Sequence, residues 1–168
     1  QAIKSFTIDE GSSLEQFCDY KNTKVEVYTF NSNLDPVEAG ISFSCLNEKC
    51  NIGRTKISGN DATLVDNFPQ CINGIIEVKA DGYVTSQLIL STNNPGVANI
   101  VLDKLYELNL ELVVGGIPLE SRDSNGMAVV SFKGDRYSTT VVYQQQKTVK
   151  LAEGLYNVSV QAYTGSAL

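Results

Sequence analysis

Four cysteines carry the widest range of chemistry in this chain: Cys18, Cys45, Cys50 and Cys71. A cysteine serves as a nucleophile, a metal ligand or half of a cross-link. A reactive thiolate needs a base or a cation beside it, and 68-FPQCING-74 supplies neither His nor Lys. A four-thiolate zinc site usually takes its ligands from close Cys-x-x-Cys knuckles. Here four residues separate Cys45 from Cys50, and Cys18 and Cys71 each stand alone. An even set in the first part of a small domain points instead to two disulfides, formed in an oxidising compartment. Three pairings are possible. The expected one joins Cys45 to Cys50 across the LNEK loop, and Cys18 to Cys71. The second bridge would tie the N-terminal segment to the strand at 74–80 and contribute about 4 kcal/mol in the chain-entropy view. A Cys50–Cys71 bridge, pinning the excursion 51–70, stays open as an alternative.

The other chemical groups are read against what is missing. The chain has no histidine, the usual general base near neutral pH and the commonest metal ligand. That excludes Ser-His-Asp and Cys-His catalysis and most zinc hydrolase sites. Carboxylate pairs, Lys and Tyr remain, and no carboxylate spacing marks a glycosidase pair. The expectation is a protein that is not an enzyme and uses no cofactor. The acidic residues fall at turns, and 59-GNDATLVDN-67 is the best calcium candidate without the Asp-x-Asp-x-Asp-Gly loop of a built site. Net charge of −6 and a pI near 4.6 argue against nucleic acid and anionic lipid. Tyr137 and Tyr143, beside 144-QQQ-146, are the candidate ligand-contact pair, expected to be exposed, whereas Tyr156 falls on an apolar register and reads as core. Asn157-Val158-Ser159 is a glycosylation sequon whose Asn should point outward.

The elements that must position these residues are strands. Ile76, Val78 and Ala80 alternate with Glu77 and Lys79. Leu108, Leu110 and Leu112 alternate with Glu107, Asn109 and Glu111. Tyr156, Val158, Val160 and Ala162 alternate with Asn157, Ser159 and Gln161. Period-2 alternation of this kind means one buried and one wet face, the pattern of antiparallel sheets. Further strands are expected at 24–30, 39–45, 84–90, 98–103, 127–132, 139–143 and 147–151. Turn chemistry separates them at Asp35-Pro36, Gly59-Asn60-Asp61, Asp81-Gly82, Gly115-Gly116, Asn125-Gly126 and Glu153-Gly154. Only 12-SSLEQF-17 has helical character. The fold class is all-β, as two tandem antiparallel β-sandwich domains of immunoglobulin-like or transthyretin-like type. Residues 1–103 form the disulfide-bearing sandwich with an N-terminal arm, and 104–168 a smaller cysteine-free one. No apolar run reaches the roughly 18 residues of a membrane span. With no initiator Met and no leader-like start, the chain reads as a mature product or excised piece of a longer protein.

Both parts lead a Gly and a Tyr into a late strand, at 81-DGYVTSQLIL-90 and 153-EGLYNVSVQAY-163. With 53-GRTKISGNDATL-64 before 79-KADGY-83, the first part resembles the carboxypeptidase-regulatory-like (transthyretin-like) sandwich. The second, at 149-VKLAEGLYNVSVQAY-163, resembles PEGA-type domains, as found in microbial and archaeal surface proteins. CLNEKC and FPQC depart from the common form. What the resemblance implies is structural duty: a non-catalytic extracellular stalk, spacer or adhesion module at the cell surface. The alternatives are a carbohydrate-binding module, or an accessory domain beside a hydrolase. The partners expected are neighbouring domains of a longer parent chain and a surface glycan or protein.

Overall fold

The computed structural model describes residues 17–122 and 126–163, and over these the chain is all-β. It divides into two compact units. The first runs to Asp81 and resumes over Thr85–Leu102, and the second takes Gly82–Val84 and everything from Asp103. The helix expected at 12–17 lies outside the described residues except for Phe17.

The first unit holds eight strands: β1 (Lys21–Asn31), β2 (Gly40–Cys45), β3 (Glu48–Arg54), β4 (Lys56–Ser58), β5 (Asp61–Pro69), β6 (Gly74–Lys79), β7 (Ser86–Leu90) and β8 (Gly96–Leu102). They form two four-stranded sheets, ordered β4-β5-β1-β8 and β3-β2-β6-β7. Alternation decides which side chains meet between them. Val25, Val27 and Thr29 of β1, Ile41 and Phe43 of β2, Ile76 and Val78 of β6, and Ile100 and Leu102 of β8 are all buried. Phe43 meets Phe68 of β5 edge to face, with ring centroids 5.4 Å apart, which ties the two sheets at one point of the core. Gly74 permits this: a Cβ there would overlap the Phe43 ring.

The first unit departs from the expected pattern in two respects. β1 and β8 run parallel, from Val25↔Gly96 to Asn31↔Leu102, so this sandwich is not purely antiparallel. β8 follows β7 of the other sheet, and the crossover brings it in alongside β1 in the same direction. β3, β4 and β5 are not among the strands expected from the sequence. In DATLVDNFP the exposure of alternate residues is irregular, so period-2 reading finds no clean strand there.

Buried threonines close the seams. Thr29 Oγ1 donates to the Val37 carbonyl at 2.6 Å and shares a 2.8 Å bond with Thr55 Oγ1, which in turn accepts from Ala39 N–H at 2.9 Å. Thr92 Oγ1 donates to the Pro69 carbonyl at 2.6 Å and accepts from Cys71 N–H at 2.9 Å. Among the described residues no buried side-chain polar atom lacks a partner, so none carries the cost of an orphaned donor or acceptor.

The second unit holds β9 (Leu105–Asn109), β10 (Val113–Val114), β11 (Ile117–Pro118), the one-turn helix α1 (Leu119–Arg122), β12 (Met127–Lys133), β13 (Ser138–Tyr143), β14 (Thr148–Ala152) and β15 (Asn157–Tyr163). Its sheets are β13-β12-β15, the pair β14-β9 and the small hairpin β10-β11. Gly115 and Gly116 both have positive φ, at 61° and 83°. That is what a two-residue hairpin turn demands. Residues 82–84 join this unit through bonds from Val84 N–H to the Asp103 carbonyl and from Leu105 N–H to the Gly82 carbonyl, both 2.8 Å. Its core is Leu119, Ala128, Val130, Phe132, Val141, Tyr143 and Val149.

Leu110, Leu112, Leu151 and Tyr156 pack against that core from partly buried positions. The expected apolar faces are otherwise only half realised. Leu108 of β9, and Val158 and Val160 of β15, stand open to solvent. These positions have the right register, but the layer above them ends too soon.

Candidate functional site

The four cysteines form two disulfides, Cys18–Cys50 with Cα atoms 5.4 Å apart and Cys45–Cys71 with Cα atoms 6.0 Å apart. This corrects the expected Cys45–Cys50 and Cys18–Cys71 pairing, and the open Cys50–Cys71 alternative with it. The reason is the local fold. Leu46 and Asn47 make a two-residue turn, with Leu46 at φ 53°, and β2 pairs with β3 as Cys45↔Glu48 and Phe43↔Cys50. Cys45 and Cys50 are therefore diagonal neighbours on one face, about 7–8 Å apart and beyond disulfide reach. Each looks instead toward the other sheet. Cys50 meets Cys18 in the lead into β1, and Cys45 meets Cys71 just after β5. Both bridges tie a strand of the β3-β2-β6-β7 sheet to a segment flanking a strand of the other sheet.

The tyrosine pair does not form. Tyr143 is 1% exposed and belongs to the core of the second unit, which corrects its expected exposure. It lies on β13 with the parity of Val141, and this directs its ring inward. Its hydroxyl donates to Glu120 Oε1 at 2.9 Å, and Lys147 Nζ reaches the same oxygen at 2.7 Å. The Lys147 ammonium, and next the Tyr143 hydroxyl, hold the Glu120 carboxyl below its usual range. The Glu120 carboxylate correspondingly raises Lys147. The triad caps the Tyr143 end of the core.

Tyr137 is placed differently. It closes the β12–β13 turn, where Gly134 N–H donates to the Tyr137 carbonyl at 3.1 Å. That turn, the 152–156 segment and Asp103 line an open cleft of about 170 Å³ in the second unit. Arg136 Nη1 lies 3.1 Å from Asp103 Oδ2 across it. Tyr156 lines it too, its hydroxyl donating to the Ala152 carbonyl at 2.9 Å. Asp135 and Glu153 add carboxylates at the rim. The cleft offers acceptors, one guanidinium and two phenol rings, a set suited to holding one polar ring or side chain. Asp103 and Arg136 were not legible as site residues, because their three loops are far apart in sequence and share no motif.

Asn157 is exposed at the start of β15, on the face opposite Val158. Among the described residues no group of three or more Cys, Asp or Glu could hold a metal ion. Within 59–67, Asp66 Oδ1 instead accepts from the next backbone N–H, that of Asn67, at 2.7 Å. No described helix is long and apolar enough to cross a membrane.

No protein-family profile matches the chain, and no curated protein matches it. Among solved structures it is similar to a streptococcal ancillary pilin, at 13% identity and a TM-score of 0.33 over 85% of this chain and 50% of that one. It is also similar to the Bacillus anthracis TIE protein, at 16% identity and a TM-score of 0.33 over 86% of this chain and 31% of that one. The chain spans half the length of the first and under a third of the second. Superposition at that level assigns neither protein's role to this chain.

Proposed function

We propose that this chain is a non-catalytic extracellular structural module, a spacer or adhesion segment of a longer surface or secreted protein. The carboxypeptidase-regulatory-like and PEGA-like resemblance belongs to this reading. So do the division into tandem sandwiches at 103–104 and a neighbouring domain of the parent chain as partner. The observation that carries it is the interlaced pair of disulfides. Cys18–Cys50 and Cys45–Cys71 overlap in sequence, so each closes a loop that the other enters. With both intact, the shortest covalent path from Cys18 to Cys71, the one that becomes taut under load, runs through the Cys45–Cys50 stretch. The remainder of that segment, on the order of fifty residues, is shielded from tension along the chain. Bridges of this kind form where proteins mature outside a reducing cytosol, and they limit how far a loaded domain extends.

Pulling single molecules by their termini tests this. Reduction should lengthen the extension released by unfolding the first unit by about 160 Å, at the reach of an extended chain. Equal extensions with and without reductant would remove the load-limiting role. A second reading, contact with a surface glycan, is favoured by one observation: Tyr137 and Tyr156 line the same polar cleft. A glycan array with Tyr137→Ala as control should show binding lost in the variant; signals unchanged by that substitution would set this reading aside.

A further inference from the structure

Among the described residues β15 is an outer strand of the sheet β13-β12-β15, with no strand paired beyond it. It holds unbroken register with β12 over the whole strand, from Met127↔Tyr163 to Lys133↔Asn157. Proteins blunt such edges with lysines, prolines, bulges or very short strands. Asn-Val-Ser-Val-Gln-Ala-Tyr has no charge and no proline, and its pairing shows no bulge. On a chain of net charge −6, a charge-free strand edge is where two like-charged copies approach with least repulsion.

The face of this strand points the same way. Val158, Val160 and Ala162 stand opposite Phe132, Val130 and Ala128, and those three are buried at 7%, 1% and 0% exposure. Across the ladder the same face is left open, with Val158 55% and Val160 49% exposed. In the other layer, Tyr106 and Leu108 of β9 pair with Leu151 and Val149 and are likewise about half exposed, at 47% and 48%. The apolar layer of this unit thus continues to its edge without being closed there.

The alternation along β15 is one that a second copy of the strand matches. An antiparallel copy centred on Val160 sets Val158 against Ala162, Ser159 against Gln161, Asn157 against Tyr163 and Val160 against itself. The three aliphatic residues then meet one another, and Asn157, Ser159, Gln161 and Tyr163 meet on the opposite face. We propose that β15 pairs with β15 of a second copy about a two-fold axis at Val160, joining two three-stranded sheets into one. Such a contact is isologous and closes on itself. A single strand edge buries little area, so the dimer is weak in dilute solution and gains from local concentration where copies are tethered side by side.

Cross-linking reads the register directly. All four native cysteines are disulfide-bonded and none is free, so an introduced thiol reports alone. At the two-fold, Val160→Cys places the two Cα atoms about 4.5–5.5 Å apart, within bridging distance. Asn157→Cys on the same exposed strand places them about 20 Å apart. Under mild oxidation at high protein concentration, V160C should become mostly covalent dimer, with less than a tenth as much from N157C. Equal yields from the two would overturn the register.

Sedimentation of the wild type from 20 μM to 1 mM should show a rising coefficient that Val160→Lys abolishes. Val160 is half exposed, so the lysine does not threaten the core. A wild type that stays monomeric at 1 mM, the outcome if a different protein supplies the covering strand, would overturn the proposal. So would self-association that survives Val160→Lys.

Discussion

Single residues decide where this protein tolerates no change. Gly74 is one, because a methyl group there would enter the Phe43 ring while Leu90 blocks the way out. Gly74→Ala should cost about 2–3 kcal/mol as overpacking against a fixed ring, read as a lower denaturant midpoint at unchanged m-value. Tyr143 is another. Tyr143→Phe keeps the ring in the core and loses the hydroxyl bond to Glu120, so about 1 kcal/mol of stability should go. Tyr143→Ala should cost about 3–5 kcal/mol by emptying a buried site. Glycan binding unchanged in Tyr143→Phe would agree with its burial. Cys45 and Cys50 show what sequence reading could and could not do at this scale. That the cysteines are cross-linked followed from their even number and the lack of a base nearby. Their pairing did not follow, because it depends on a two-residue turn at Leu46-Asn47 that makes them diagonal rather than adjacent.

At the scale of elements, the outer face of β2, β3 and β6 is organised by one carboxylate. Glu77 lies 2.7 Å from Lys49 Nζ of β3 and 2.9 Å from Lys79 Nζ on its own strand. The Lys49 ammonium first, and Lys79 next, draw the Glu77 carboxyl from 4.5 down to about 2. A lowered folded-state pKa means stability that is complete above pH 4.5 and is lost as pH falls from 4.5 through 2. Both lysines are at least half exposed, so solvent screening limits the contribution to about 1–2 kcal/mol. Acid unfolding should therefore show a slope in that window that Glu77→Gln removes. An unchanged slope in the variant would mean the pair contributes nothing. The alternation Ile76/Glu77/Val78 made this strand legible in advance, and β12 and β13 likewise. β5 was not legible, because its exposed and buried positions do not alternate cleanly; β3 does alternate, but Cys50 and Ile52 alone carry its buried side, too short a pattern to read as a strand.

At the scale of the whole molecule, covalent cross-links take on work that a small core cannot do alone. Each bridge closes a loop of a size worth about 3.5 kcal/mol in the chain-entropy model. Reduction should lower the melting temperature of the first unit by well over ten degrees and leave the cysteine-free second unit little changed. Differential scanning calorimetry with and without reductant would resolve the two. Equal shifts in both would show that the units do not unfold separately.

The sequence by itself determined the all-β class, the confinement of cysteines to the first part, and the absence of histidine-based chemistry. All three follow from composition and from a period of two that any strand obeys. The tertiary structure alone decided the pairing of the disulfides, the parallel β1–β8 contact, and the burial of Tyr143 against the exposure of Val158 and Val160. Alternation states which side of a strand is apolar. Only the strands packed above it decide whether that side is covered.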